Sequence, residues 1–144
     1  MRVIWGSLLA AALALGAAGC GIDSAMAPTP ELDEGDVVHS GIGPEAASNL
    51  ERFDAFLAVT ESGGDDAVRI VNLTVEGDPI YTDSSYAEGK YVVYTDRSED
   101  EFAAEADRKR EKAAECTALV QSDRPDDYSE YACGEYSFLV ADLE

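Results

Sequence analysis

"AVRIVNLTVEGDPIYTD", residues Ala67 to Asp83, is the stretch that decides the fold, because it holds two strand patterns on either side of one turn. β-Branched residues crowd its first half, and such residues favour a pleated, half-buried strand. Five apolar side chains alternate between the two faces of an extended chain: Val71, Leu73 and Val75 on one, Val68 and Ile70 on the other. Apolar residues on both faces are typical of a central strand, so we expect this segment to lie inside a sheet.

A turn follows this strand at Gly77, Asp78 and Pro79. Glycine allows a positive φ, aspartate can bond to its own backbone, and proline fixes φ for the returning strand. Further on, Glu88 and Gly89 separate two segments that carry tyrosines. The sequence therefore predicts three consecutive strands, at about residues 67–76, 80–86 and 90–96.

A helix is predicted ahead of these strands, from about Leu50 to Ser62. It is introduced by "SNLE", in which Ser48 and Glu51 have the spacing of a capping box. Four apolar residues share one helix face: Leu50, Phe53, Phe56 and Leu57. Two glycines then end the pattern, so we expect an amphipathic helix that packs its apolar face on the sheet.

The stretch after the third strand, "SEDEFAAEADRKREKAAE" over residues 98–115, leaves two interpretations open. Ser98 and Glu101 have capping-box spacing, and Glu105 with Lys109 forms a helical charge pair. The apolar face is thin, however, so the segment is either a solvated helix or a loop. We interpret its basic residues Arg108, Lys109 and Arg110 as balancing the acids around them, and attraction of an acidic partner is the alternative.

The C-terminal segment predicts a hairpin closed by a disulfide. A four-residue turn between Ser122 and Asp127 would place Cys116 opposite Cys133 on antiparallel strands. A zinc site is a weaker reading, because the chain offers two thiols besides Cys20 and a single imidazole. The predicted fold is α+β: an N-terminal amphipathic helix on an antiparallel sheet of about five strands, with a C-terminal disulfide-linked hairpin.

The N-terminus has the layout of a secretory signal peptide over residues 1–19: a basic start, an apolar run and small residues. The apolar run is shorter than the roughly 20 residues that span a bilayer. "AAGC" resembles the lipoprotein box, in which the cysteine thiol receives the lipid, although Ala17 stands where leucine is usual. We therefore predict lipidation of Cys20 with diacylglycerol, palmitate included. Plain secretion and an uncleaved anchor are the alternatives.

Residues 20–36 are rich in proline, small residues and acids, which predicts a flexible tether. Residues 37–144 then form one small domain. Thirty acidic residues against ten basic ones give a net charge of −20, which repels nucleic acid and excludes it as a partner. With Cys20 lipidated, Cys116 and Cys133 remain as a pair in an oxidising compartment outside the cytoplasm.

Four features together resemble a family of small, mostly Gram-positive bacterial lipoproteins catalogued as domain of unknown function 4362. These are "DVVH", "NLERFDAFL", "VRIVNLTVEGDPI" and the later pair of cysteines, and the resemblance covers roughly Asp36 to Cys133. It implies a disulfide-bearing domain that is lipid-anchored on the extracytoplasmic face of the cell membrane. It implies no reaction, and the basic stretch after Asp100 departs from the glycine-rich and lysine-rich segment of the family.

Catalytic patterns are weak in this sequence. His39 is the single histidine and has no nucleophile motif around it, while Glu76 and Asp78 flank a glycine at the predicted turn. We keep these three residues as a weak candidate surface. "TPELDEGD" and "SGGDDA" cluster oxygen ligands without the spacing of an EF-hand loop.

The sequence thus predicts a non-catalytic envelope lipoprotein, without a cofactor or metal, that binds an envelope protein or a small ligand. A carboxylate-based extracytoplasmic hydrolase and a weak calcium-binding module are the alternatives.

Overall fold

The computed structural model describes residues 32–40 and 46–141, and within these ranges the chain is mostly β. It forms nine strands, one α-helix and a short 3₁₀ helix over Glu105–Asp107. The strands are β1 (Val37–His39), β2 (Ala47–Ser48), β3 (Asp66–Leu73), β4 (Pro79–Ala87), β5 (Lys90–Asp96), β6 (Arg110–Cys116), β7 (Val120–Asp123), β8 (Tyr128–Cys133) and β9 (Tyr136–Ala141). The helix, α1, is Leu50–Glu61.

Six strands form one sheet in the order β2-β1-β3-β4-β5-β6. β1 runs parallel to β3, and all other neighbours are antiparallel. The position of β3 between β1 and β4 confirms that this segment is a central strand. The three consecutive strands predicted from the sequence are confirmed as β3, β4 and β5, with Val75 falling just beyond the end of β3, where it is 81% exposed.

Helix α1 confirms the predicted helix but not its predicted cap. The N-cap is Asn49, which has a positive φ of 58° and makes no side-chain capping bond, so the capping box of Ser48 and Glu51 was wrong. Ser48 instead pairs with β1 as part of β2. At the other end Gly63 takes a φ of 81°, and its N–H donates to the Thr60 carbonyl while Gly64 N–H donates to that of Val59. These two bonds form a Schellman motif.

The ambiguous stretch is a loop followed by an edge strand. Residues 97–109 form a loop, and the chain then pairs with β5 as β6, with a register shift between Val93 and Tyr94. Of the two interpretations the solvated helix was wrong and the loop holds for residues 97–109, while pairing with β5 overrode the helix propensity of the residues that form β6. The charged residues of β6 suit the edge of a sheet, where they hinder pairing with another chain.

The last three strands form a second sheet in the order β7-β8-β9. The Cys116–Cys133 disulfide is confirmed, with the two Cα atoms 5.4 Å apart. Its setting differs from the predicted hairpin, because Cys116 belongs to β6 and Cys133 to β8. The predicted register was wrong as well, since Val120 pairs with Ala132 rather than with Ser129. The disulfide consequently joins the two sheets instead of closing a hairpin.

The core lies between one face of the six-stranded sheet, here the inner face, and a layer made by α1 and the three-stranded sheet. Phe53 of α1 is central, with its ring centroid 4.8 Å from that of Tyr131 in an edge-to-face contact. The C-terminal strands bury their aromatic side chains against α1. They therefore lie in the same layer as α1 and are not part of the six-stranded sheet. The predicted α+β arrangement on about five strands is corrected to two sheets with one helix.

The predicted signal peptide, Cys20 and most of the predicted tether lie outside the described residues. Among the residues that are described, no helix is long and apolar enough to cross a membrane.

Candidate ligand-binding cleft on the outer sheet face

The opposite face of the six-stranded sheet, here the outer face, carries an open cleft of about 440 Å³. β3, β4, β5 and β6 supply its floor, and the segment before β1 supplies one rim. The residues that line it are Asp33, Ala67, Val68, Arg69, Asp83, Ser84, Ser85, Tyr94 and Arg110. Its volume lies within the roughly 300–1,000 Å³ range of small-molecule sites.

Two arginines share one carboxylate at the centre of the cleft. Arg69 donates from Nε to Asp83 Oδ1 at 2.6 Å and from Nη2 to Oδ2 at 3.3 Å. Arg110 donates from Nη2 to the same Oδ2 at 3.0 Å. Because β3, β4 and β6 each contribute one side chain, the sheet pairing fixes this arrangement. The three ionised groups together carry one positive charge.

Aromatic rings hold both guanidinium groups. The Cζ atom of Arg69 lies 5.0 Å from the ring centroid of Tyr81, and that of Arg110 lies 4.5 Å from the centroid of Tyr94. Such cation–π contacts contribute about 0.5–1 kcal/mol each at exposed sites. Burial, together with the neighbouring Glu99 carboxylate that accepts the Tyr81 hydroxyl, raises the pKa of Tyr81 to about 12. Tyr81 is therefore protonated throughout the physiological range.

Acidic residues approach the cleft from the segment before β1. Asp33 lies on the rim, and its backbone N–H donates to Asp36 Oδ2 at 2.9 Å. The hydrogen bond to Asp83 raises the pKa of Arg69, and the charge on Asp36 adds to this effect. The cleft thus combines a surplus of hydrogen-bond donors on its floor with negative charge at one rim.

His39 lies in the core, on the face of the sheet opposite this cleft, at only 5% exposure. Its Nδ1 lies 2.8 Å from Asn72 Oδ1, and the Ala141 N–H donates to its Nε2 at 3.4 Å. Both contacts fit a neutral ring that donates from Nδ1, and burial lowers the pKa of His39. The histidine therefore links β1, β3 and β9 inside the domain and does not lie on the surface predicted from the sequence.

Glu76 and Asp78 occupy the turn between β3 and β4, as the sequence indicated. Glu76 is exposed, whereas Asp78 is only 6% exposed and accepts the Glu101 N–H at 2.8 Å. The Asp78 N–H in turn bonds to Thr74 Oγ1 at 3.1 Å. Asp78 thus fastens the loop after β5 to this turn, and the structure does not bring His39, Glu76 and Asp78 together as one surface.

The two oxygen-rich stretches are engaged in contacts of their own where they are described. Arg52 donates to both carboxylate oxygens of Asp66, at 2.7 and 3.0 Å, and this pairing lowers the pKa of Asp66. Asp36 accepts from Asp33, as noted above. Across residues 32–40 and 46–141, no group of three or more histidine, cysteine or acidic residues is placed to hold a metal ion.

The tyrosines of β4 and β5 divide between the two faces of the sheet. Tyr81 and Tyr94 lie on the outer face with the arginines, while Tyr86 and Tyr91 pack into the core cluster. Sequence reasoning missed the cleft, although one signal was present. Arg69 interrupts an apolar strand between Val68 and Ile70, which marks an outward-facing charge on a central strand.

A smaller cleft of about 290 Å³ lies near the C-terminal end of α1, lined in part by Tyr86, Tyr91 and Tyr131. The Tyr91 hydroxyl donates to Thr60 Oγ1 at 2.8 Å, and Thr60 itself donates to the Leu57 carbonyl at 3.1 Å. The hydroxyl groups of Tyr91 and Thr60 in this smaller cleft are thus already paired within the fold. The arginine-bearing cleft, whose arginines keep donors unpaired within the described part of the chain, is therefore the better candidate site.

Comparison with family models finds one match over residues 34–132, to a family described as "Domain of unknown function (DUF4362)". The match includes eight of the nine strands in whole or in nearly all of their length, together with the arginine-bearing cleft apart from Asp33. No curated protein and no solved structure matches the chain.

Proposed function

The chain belongs to the family of domain of unknown function 4362, and from this premise we propose that it is a non-catalytic binding module anchored by lipid outside the cytoplasm. The anchor is a diacylglycerol group on the thiol of Cys20, which becomes the first residue once residues 1–19 are removed. The module binds a small ligand at the arginine-bearing cleft. This places the domain at the outer face of the cell membrane.

The Cys116–Cys133 disulfide is the observation that carries the location. Cys133 is fully buried at 0% exposure, and the disulfide joins β6 to β8 across the core. A structural disulfide of this kind persists in oxidising compartments and is rare in the cytosol. With these two thiols consumed, Cys20 is the one cysteine left in the sequence, and it stands where a lipoprotein box needs it.

Binding is favoured over catalysis by what the titratable side chains do. His39 is committed to contacts within the core, and Asp78 supports a turn. The arginine-bearing cleft offers cationic donors and aromatic rings, which suit ligand binding, and its Asp83 carboxylate is paired with both arginines. A hydrolase built on Glu76 and Asp78 would need both carboxylates to reach the substrate. Asp78 is only 6% exposed and is bonded to the Glu101 N–H, so it does not meet this need.

The test is the intact mass of the full chain, expressed in a bacterium that processes lipoproteins and extracted from its membranes with detergent. Thiols are alkylated before and after reduction. We expect a chain that begins at Cys20 with added acyl mass and two thiols that react only after reduction. A Cys20→Ser variant is the control and should carry no acyl mass. An unacylated wild-type chain released to the medium would overturn the anchor, and free thiols at Cys116 and Cys133 would overturn the location.

A further inference from the structure

We propose that the arginine-bearing cleft binds a small organic molecule through a single carboxylate, which Arg69 and Arg110 hold together. This inference rests on the proposed binding function and names the chemistry of its ligand. Neither arginine is needed to complete the core, because their side chains remain 40% and 44% exposed. Both nevertheless converge on one point of the outer face.

The two arginines carry more N–H donors than Asp83 uses. Each guanidinium carries five N–H groups, and the two side chains make three hydrogen bonds to Asp83. Arg69 keeps both N–H groups of Nη1, and Arg110 keeps those of Nη1 and Nε, with no partner among the described residues. A guanidinium fork matches a carboxylate in shape as well as charge. The cleft therefore presents a second carboxylate-binding position beside Asp83.

Contacts on two sides hold these donors in position. The aromatic rings of Tyr81 and Tyr94 lie against the two guanidinium groups and limit their movement. Asp83 fixes the arginines from the other side, at 2.6 and 3.0 Å. Donors that are already ordered lose less conformational entropy when a ligand arrives. Beside them, Ala67, Ser85 and the ring of Tyr94 leave room for an uncharged body.

The surrounding acidic residues favour a ligand with a single negative charge. Asp33 at the rim and Asp36 nearby repel anions, and the whole chain carries a net charge of −20. This repulsion grows with each charge on the ligand, whereas at physiological salt it is screened beyond about 8 Å. A monocarboxylate gains the close contact to both arginines and is repelled least by the acids at the rim and by the net charge of the chain. Phosphates and polyanions suffer more.

The experiment measures binding of three monocarboxylates to the full chain, as extracted in detergent micelles, by ligand-observed saturation-transfer NMR. Benzoate and gluconate represent free organic acids, and N-acetylglycine represents a peptide C-terminus. Each has an uncharged amide of the same shape as its control, and inorganic phosphate serves as competitor. We expect saturable transfer to at least one acid below about 10 mM, none to its amide, and weak competition by phosphate.

Three variants assign this binding to the cleft. Arg110→Gln should weaken the bound acid about tenfold, because it removes one of the two cations that hold the carboxylate. Arg124→Gln is the matched control, since Arg124 is 39% exposed and likewise paired with an aspartate, but at Asp126 beyond β7. It should change the affinity less than twofold. Asp83→Asn should tighten binding, because it removes a negative charge beside the carboxylate-binding position while the asparagine Oδ1 can still accept from the arginines.

Equal binding by Arg110→Gln and Arg124→Gln, or no saturable binding by any of the three acids, would overturn the inference. So would an amide that binds as well as its acid. Circular dichroism of each variant shows whether it is folded, and Asp83→Asn provides a gain of affinity that misfolding cannot mimic. The acyl mass is measured separately from ligand binding. A chain that binds none of the acids still tests the anchor, and a chain without acyl mass still tests the ligand site.

Discussion

The two faces of the six-stranded sheet are made by the same strands and are put to different uses. β3 shows this within three consecutive residues, because Val68 and Ile70 enter the core at 5% and 0% exposure while Arg69 lies between them on the outer face. The inner face is largely apolar, and it is covered by α1 and the second sheet. The outer face carries a smaller buried apolar cluster of Val38, Val71 and Tyr81 beside charged groups that stay in contact with solvent. We infer that the inner face supplies most of the stability and that the charged part of the outer face supplies recognition.

The largest effect should come from emptying the inner face. Ile70→Ala removes a fully buried side chain, at 0% exposure, and should lower the free energy of unfolding by about 2–5 kcal/mol. The midpoint of urea unfolding measures this loss. Val75→Ala is the control, because Val75 is 81% exposed and its truncation should cost less than about 0.5 kcal/mol. Similar losses in the two variants would contradict the assignment of stability to the inner face.

The disulfide should rank next, since it joins the two layers that enclose the core. Cys116 and Cys133 are 17 residues apart in sequence, and a loop of that size stabilises by about 3 kcal/mol on the chain-entropy model. The double variant Cys116→Ala/Cys133→Ala should show that loss in urea unfolding without leaving a free thiol. Cys20→Ser should leave the unfolding midpoint unchanged. A loss well under 1 kcal/mol would mean that packing alone holds the two sheets together.

His39 should make the stability of the inner face depend on pH. Burial holds its folded pKa below the ordinary value of 6.5, so the unfolded chain binds the proton first as the pH falls. The stability that this neutral, buried ring contributes is therefore complete above pH 6.5 and is lost as the pH falls towards the folded pKa. The slope cannot exceed about 1.4 kcal/mol per pH unit for one proton.

The measurement is the difference in unfolding free energy between wild type and His39→Gln at pH 7.5 and at lower pH. Glutamine can still bond to Asn72 but does not titrate. Comparing the two chains cancels the acidic groups that they share, among them the paired Asp66. A wild-type advantage that stays constant between pH 7.5 and 5 would show that His39 takes up its proton equally in the folded and unfolded chains, and would contradict the lowered folded pKa.

Local patterns predicted the inner face well. The alternation in β3 and the four apolar residues of α1 specify buried surfaces without reference to the rest of the chain. The cysteine pairing was also predictable, because the prediction that Cys20 carries the lipid leaves only one pair. β6 was not, since its arginine, lysine, alanines and glutamates favour a helix until β5 offers an edge on which to pair.

The cleft lay beyond sequence reasoning for a different reason. Arg69 and Asp83 are 14 residues apart, and Arg110 is 27 residues beyond Asp83, so three strands must pair in register before the two cations meet. The contact between Arg69 and Asp83 follows from the β3–β4 hairpin, which the sequence did predict. The contribution of Arg110 required β6, which it did not. The missing strand therefore concealed half of the candidate site.

The smallest effect on stability should come from the outer face, even where the effect on binding is large. Arg110→Gln removes a pair whose side chains are 44% and 21% exposed, and solvent screens such pairs to about 0–1 kcal/mol. Its unfolding midpoint in urea should therefore stay near that of wild type, and the small remaining difference should shrink further in high salt. A loss above about 2 kcal/mol would break the comparison, because it would make the arginine pair part of what holds β4 to β6. A small loss together with tenfold weaker carboxylate binding would separate the two faces, because one substitution would then remove recognition while leaving the fold intact.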